Sequence, residues 1–143
     1  ETQATLRGFL HPDSQVAGPV DLLGGADEHD YRRALDAVLA DPAVDGMLAI
    51  LVPQVLVNPV AVVEAFSASA QAATPAKPLL ACLMGEASLD AAFRTAHANQ
   101  IPPYVFPEDA VEAFGVLWQR GQWLQRGSSK GAKEQKARGA GET

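Results

Sequence analysis

The chain has 143 residues, 48% of them hydrophobic and 20% charged, with a single cysteine. Those values suit one globular domain and exclude a wholly disordered chain, a collagen-like repeat and a disulfide-stapled scaffold. Residues from 120 onward carry six Lys/Arg against two acids (net +4), and the body before them five against fifteen (net −10), a field that repels nucleic acid and anionic membranes.

A short amphipathic stretch from Thr2 to Leu10 opens the chain, followed by a Pro/Gly-rich connection ending in Gly18-Pro19-Val20-Asp21-Leu22-Leu23-Gly24-Gly25, which is a loop signal. Asp27 or Asp30 then caps a helix in which Tyr31, Leu35, Val38 and Leu39 share a face, stopping before Asp41-Pro42. Met47 to Val52 is an uninterrupted apolar run, as expected of a strand covered on both faces in a parallel sheet. Asn58 predicts an N-cap with Pro59 at the first helical position, and Val62, Val63, Phe66 and Ala70 recur at helical spacing. Lys77-Pro78 leads into a second strand, Leu79 to Met84, and after Gly85 a helix capped by Ser88 carries Leu89, Phe93 and Ala96 to an end near Asn99. A third strand is predicted at Tyr104-Val105-Phe106, and Pro107-Glu108-Asp109 opens a last helix through Trp118 with Ala110, Val111, Phe114 and Leu117 as its stripe. From Arg126 onward no apolar residue exceeds Ala, so the expected domain is 1–120, with 121–143 a flexible basic linker.

Strand–helix repeats of this length imply right-handed crossovers and a parallel sheet flanked by helices. Three strands make a narrow sheet, which predicts missing strands upstream in a longer parent; an unusual small fold or a partner chain that supplies them stays open. In such a sheet, ligands bind beyond the carboxyl ends of the strands. Four loops belong there: Asp21 to Asp27, Val52 to Pro59, Met84 to Ser88 and Phe106 to Asp109. Helix N-termini and glycines at these positions suit a small carboxylate or phosphate, although Asp27, Glu86, Glu108 and Asp109 would satisfy the same N–H groups as caps.

Catalytic constellations are incomplete. Cys82 sits mid-strand among apolar neighbours, which favours an inert core thiol. His11, His29 and His97 lie in unrelated segments without ligand partners, so no metal site is expected. The paired acids Glu28/Asp30 and Glu108/Asp109 stand in first turns, where helix capping accounts for them. Phosphate-loop and nucleophile-elbow motifs are lacking, and Lys77 precedes its strand, unlike the lysine of a signalling receiver.

The order Pro19-Val20-Asp21-Leu22, Gly24-Gly25-Ala26, Tyr31 with Leu35, Asp41-Pro42-Ala43-Val44-Asp45, Val52-Pro53, Lys77-Pro78, Met84-Gly85, Ile101-Pro102 and Phe106-Pro107-Glu108-Asp109-Ala110-Val111 resembles the NDP-forming acyl-CoA synthetases, relatives of succinyl-CoA ligase, over roughly residues 9 to 120. The resemblance implies an α/β fold of flavodoxin-like type, a three-layer parallel sheet incomplete at the N-terminus, corresponding to the latter part of the family's second flavodoxin-like ligase domain. It implies an acid–thiol ligase working through acyl phosphate and a phosphorylated histidine, with ATP or ADP, CoA and Mg held by CoA-binding and ATP-grasp domains or subunits rather than by this segment, which alone would be inactive. By position, Gly24, Gly25, Pro53, Gln54, Val55, Asn58 and Gly85 resemble the family's loops around the acyl carboxylate or phosphate, and no residue here is expected to be catalytic. None of the three histidines has the Ser-His-Thr-Gly surroundings of the family's phosphorylated one. Gly18 replaces the family's usual asparagine, and Gln54-Val55-Leu56 stands where succinyl-CoA ligases have glycines. Two other functions fit the residues: a regulatory ligase-like domain of a protein-lysine acetyltransferase, and a non-catalytic interaction domain.

Overall fold

The computed structural model describes residues 1–54, 57–85 and 89–139, with 127–139 as backbone only. Its elements run α1 (Thr2–Arg7), α2 (Glu28–Leu39), β1 (Met47–Leu51), α3 (Pro59–Ala72), β2 (Leu79–Leu83), α4 (Asp90–Ala98), β3 (Pro103–Tyr104) and α5 (Pro107–Gly139). The three strands form a parallel sheet in the order β1-β2-β3, so each crossover carries one helix between neighbouring strands. The fold class is α/β with a parallel sheet, of flavodoxin-like type. Two compact units divide the chain, Glu1–Ala110 and Val111–Thr143.

The central strand explains the apolar run in the second segment. Every residue of β2 is buried, whereas β1 alternates, with Ala49 and Leu51 buried and Ile50 exposed. Successive side chains leave a strand on opposite faces. Ala49, Leu51, Leu79, Ala81 and Leu83 therefore meet one core with Leu35 of α2, Val62, Val63 and Phe66 of α3, and Ala92 and Ala96 of α4. Phe66 is fully buried and its ring lies 5.8 Å from that of Tyr31. On the opposite face Leu80 and Cys82 are buried while Ile50 and Val52 are exposed. Burial pushes the Cys82 thiol pKa up, and the carboxylates of Glu108 and Asp109 in the first turn of α5 push it further. The thiol is thus held protonated, as an inert core residue should be.

A second cluster, Leu6, Leu10, Val16 and Ala34, fixes α1 and the following connection to α2. Polar ties reinforce it. Arg7 Nη1 donates to the carbonyls of Pro12 (3.0 Å) and Ser14 (2.7 Å), and Arg33 lies over the Phe9 ring at 3.9 Å. Lys77 Nζ donates to the carbonyls of Leu39 (2.7 Å) and Asp41 (2.6 Å). It satisfies the end of α2 from across the chain, where a cation also complements the helix dipole. Thr2 Oγ1 donates to Asp41 Oδ2 at 2.6 Å, and the Ala43 N–H donates to Asp41 Oδ1 at 2.9 Å.

Some boundaries differ from the sequence expectation. The third strand is Pro103–Tyr104 rather than 104–106. β-Branched and aromatic composition points to Val105 and Phe106, but the ladder uses only Ala81 with Pro103 and Cys82 with Tyr104, and a proline suits the first residue of an edge strand. Helix α4 has Leu89 as its N-cap without a side-chain cap; the expected cap, Ser88, lies outside the described residues. The last helix does not stop at Trp118, since its backbone continues to Gly139. Gln, Lys, Arg, Glu and Ala are good helix formers, and extending an existing helix adds one hydrogen bond per residue.

Candidate functional site

Three of the four loops expected at the strand ends approach one another through Gly24 and Gln54 and through Gly85 and Pro53. Leu23 occupies the left-handed region at φ 67°, held by its N–H donating to Asp21 Oδ1 at 2.9 Å and by its carbonyl accepting from Ala26 N–H at 3.3 Å. This turn presents Gly24 to the loop after β1 and leaves Gly25 in open space. A Cβ placed on Gly24 would lie 3.4 Å from Gln54 Cγ, so the two loops touch there. A Cβ on Gly85, at φ 156°, would lie 3.1 Å from Leu89 Cδ1 and 3.6 Å from Pro53 Cγ. Gly85 thus seats the loop after β2 against Pro53, over the buried Leu89. Gly24, Gly25, Gln54, Asn58 and Gly85 are exposed and Pro53 half-buried. Val55 lies outside the described residues.

The N-termini of α2 and α3 at this end are already occupied, whereas α4 has no side-chain cap. Asn58 Oδ1 accepts from the N–H groups of Val60 (3.1 Å) and Ala61 (3.3 Å), and Pro59 has no N–H to offer. Asp27 accepts from His29 and Asp30 in a full capping box. Helices α2 and α3 therefore contribute partial positive charge but few open donors. Among the described residues, the backbone N–H groups of Gly24, Gly25, Gln54 and Gly85 donate no hydrogen bond. Open amides at this end are a property of the loops, which composition alone did not distinguish from the helix starts. The Leu23 conformation carries no sequence signal, because leucine rarely adopts it.

The other candidate groups are scattered. His11 lies 3.7 Å from Asp13, exposed on the connection after α1, while His29 and His97 sit in the first turn of α2 and the last turn of α4. Among the described residues no group of three His, Cys, Asp or Glu is placed to hold a metal ion, and no helix is long and apolar enough to cross a membrane. Tyr31 has its pKa raised, first by burial and then by the charge of Asp21, which ties the second helix electrostatically to the start of the Leu23 turn.

No protein-family model matches the chain. It is 33% identical over 122 residues to the α subunit of ADP-forming acetate–CoA ligase II of Pyrococcus furiosus, covering 84% of this chain and 27% of that protein. It is 32% identical over 117 residues to ADP-forming acetate–CoA ligase I of Archaeoglobus fulgidus, covering 82% of this chain and 16% of that one. A crystal structure from Pyrococcus horikoshii OT3 superposes with a TM-score of 0.71 at 34% identity, over 76% of this chain and 25% of the other. The fold is also that of a dinucleotide-forming acetyl-coenzyme A synthetase of Ca. Korarchaeum cryptofilum, at a TM-score of 0.78 and 22% identity, over 85% of this chain and 26% of that one; its structure is also known with phosphate and ADP. The chain spans between 16% and 27% of the length of these proteins. In sequence and in fold, the chain belongs to the NDP-forming acyl-CoA synthetase superfamily, as part of one flavodoxin-like ligase domain.

Proposed function

We propose that this chain is a module of an ADP- or NDP-forming acyl-CoA synthetase and that it seats the acyl carboxylate or phosphate. The observation that carries the reading is the meeting of three separate loops, at Gly24, Pro53-Gln54 and Gly85, beyond the ends of β1 and β2. Preorganised backbone N–H groups stabilise oxyanions without reorganising, and the loop amides there donate to no other group among the described residues. On this reading Gly24, Gly25, Pro53, Gln54, Asn58 and Gly85 form the seat, with Gly85 and Pro53 shaping it and Asn58 holding the start of α3. Residues 1–120 are the ligase-domain part and 121–143 a linker toward the next domain.

The remaining chemistry belongs elsewhere in the parent. CoA, the adenine nucleotide and Mg2+ are handled by CoA-binding and ATP-grasp domains or subunits, in the cytoplasm, and this chain contributes binding and orientation. The ligases it matches are named for acetate and for ADP formation, which supports a small monocarboxylate as substrate.

The test is to incubate the parent ligase with acetate, CoA and ATP, and to follow acetyl-CoA, ADP and phosphate. Equal amounts of the three products are expected. Absence of acyl-CoA with acetate, propionate and butyrate, in a preparation that binds ADP, overturns the ligase reading.

A further inference from the structure

Among the described residues α5 is the only element of the second unit, Val111–Thr143, so no other element of that unit packs along it. Its surface is nonetheless apolar where a solvated helix should be polar. Val111, Val116, Leu117, Trp118, Trp123 and Leu124 are all exposed, Trp118 to 65% and Trp123 to 63%. Exposed apolar surface gathered in one segment marks an interaction site, and tryptophan is prominent among the side chains that anchor one.

The spacing identifies the kind of partner. The six residues form three pairs seven apart: Val111 with Trp118, Val116 with Trp123, and Leu117 with Leu124. A seven-residue apolar repeat keeps a seam turned toward a second helix. Gly121, seven residues after Phe114, has open space where a Cβ would go, which leaves room for a large side chain of a facing helix. Charge then identifies that helix. Residues 107–119 carry Glu108, Asp109 and Glu112 and no base (net −3), whereas 120–139 carry six bases against Glu134 (net +5). An anionic lipid or nucleic-acid surface would attract one half and repel the other. A copy of the same helix laid antiparallel matches both halves at once and sets the two helix dipoles in opposition. A parallel copy would set like charge on like.

We infer that α5 is a self-association helix, through which two copies of this chain pair antiparallel along Val111–Leu124. Trp118 and Trp123 are buried between the copies, and the acidic start of each helix lies beside the basic part of the other. The pairing belongs to the second unit, so the apolar clusters of the first take no part in it. It is independent of the oxyanion seat, and failure of either leaves the other standing.

The experiment is sedimentation of the full chain over a concentration series, with tryptophan emission followed in parallel. Both tryptophans of the chain lie in α5, so the emission reports the seam alone. The mass should rise from that of one chain toward that of two, and the emission should shift to the blue over the same range. Trp118→Glu and Leu117→Glu should each weaken the pairing at least about tenfold, with helix content retained in circular dichroism. Orientation is read by joining carboxylates directly to lysines with a carbodiimide. Glu112 and Lys130 are 18 residues apart in one helix, about 27 Å along its axis, so an amide between Lys130 and Glu108, Asp109 or Glu112 joins two chains. Such links are expected in the dimer. A chain that stays monomeric throughout overturns the inference, and one that stays monomeric yet sediments with phosphatidylglycerol vesicles replaces the second copy with a lipid surface. A dimer that neither variant weakens overturns the seam, and a dimer without those links overturns the antiparallel orientation.

Discussion

Two glycines at the strand ends are there for different reasons. Gly85 is required by its own backbone, since its φ of 156° disfavours a side chain and a Cβ would press on Leu89. Gly25 lies outside the left-handed region, and nothing stands within 4 Å of where a Cβ would go. The fold alone therefore does not demand glycine at 25, and the open surface suits close approach by another molecule. Gly85→Ala should destabilise the chain by about 1–3 kcal/mol, through strain and the Leu89 contact. Gly25→Ala should instead stabilise it by about 0.5 kcal/mol, by restricting the unfolded chain, while weakening anion binding. Urea denaturation and titration with acetate or phosphate read the two effects separately; a loss of stability in Gly25→Ala would show that the turn needs glycine for its own conformation. Asp41 contributes to the acid limb of stability. The hydrogen bond from Thr2 and that from the Ala43 N–H lower its pKa, and the Lys77 charge adds to the effect. A carboxyl whose folded pKa is depressed contributes stability above its unfolded pKa of about 3.9, and loses it as pH falls through the folded value. Asp41→Asn should thus flatten the loss of stability between about pH 5 and pH 3, relative to the parent chain, in urea midpoints taken across that range.

At the scale of elements, legibility followed how local each cause is. Asp27 with Asp30, and Asn58 with Pro59, are start signals within four residues of one another, and both helices begin there with the expected side-chain caps. The apolar runs likewise placed β1 and β2 to within a residue. Lys77 was legible as a strand approach but not as a cap for α2, because its partners lie 38 and 36 residues away. The end of α4 shows a similar limit. Asn99 announces the stop, yet the residue that turns left-handed is Gln100, at φ 60°. The Ile101 N–H then donates to the Ala96 carbonyl at 3.0 Å and the Gln100 N–H to that of His97 at 3.1 Å, closing the helix in the manner usually entrusted to glycine. A side chain in this conformation costs roughly 1–2 kcal/mol. Gln100→Gly should recover about 1 kcal/mol of that, net of the extra freedom of glycine in the unfolded state. A thermal melt of the variant checks this, and an unchanged or lower midpoint would mean that the glutamine side chain compensates.

At the scale of the whole molecule, the buried members of the two apolar clusters of the first unit lie between Leu6 and Ile101. One cluster joins the sheet to α2, α3 and α4, and the other joins α1 and its connection to α2. Among the described residues neither cluster draws on any beyond 110, so the stability of Glu1–Ala110 should not depend on the far end of α5. The second unit has its own local features, such as Arg120 over the Trp123 ring at 4.4 Å and the exposed Val116 and Trp118, and its basic composition suits a connection more than a core. Removing residues 121–143 should therefore leave the unfolding midpoint of the remaining chain unchanged, with the same urea dependence, because that dependence scales with the surface exposed when the core opens. It should also leave the response of the Gly24 and Gly25 amide NMR signals to acetate or phosphate intact, since every residue of the proposed seat precedes Leu89. A lower midpoint, or a seat that no longer responds, would mean that the end of α5 is part of the folded ligase module and that 121–143 is not a linker.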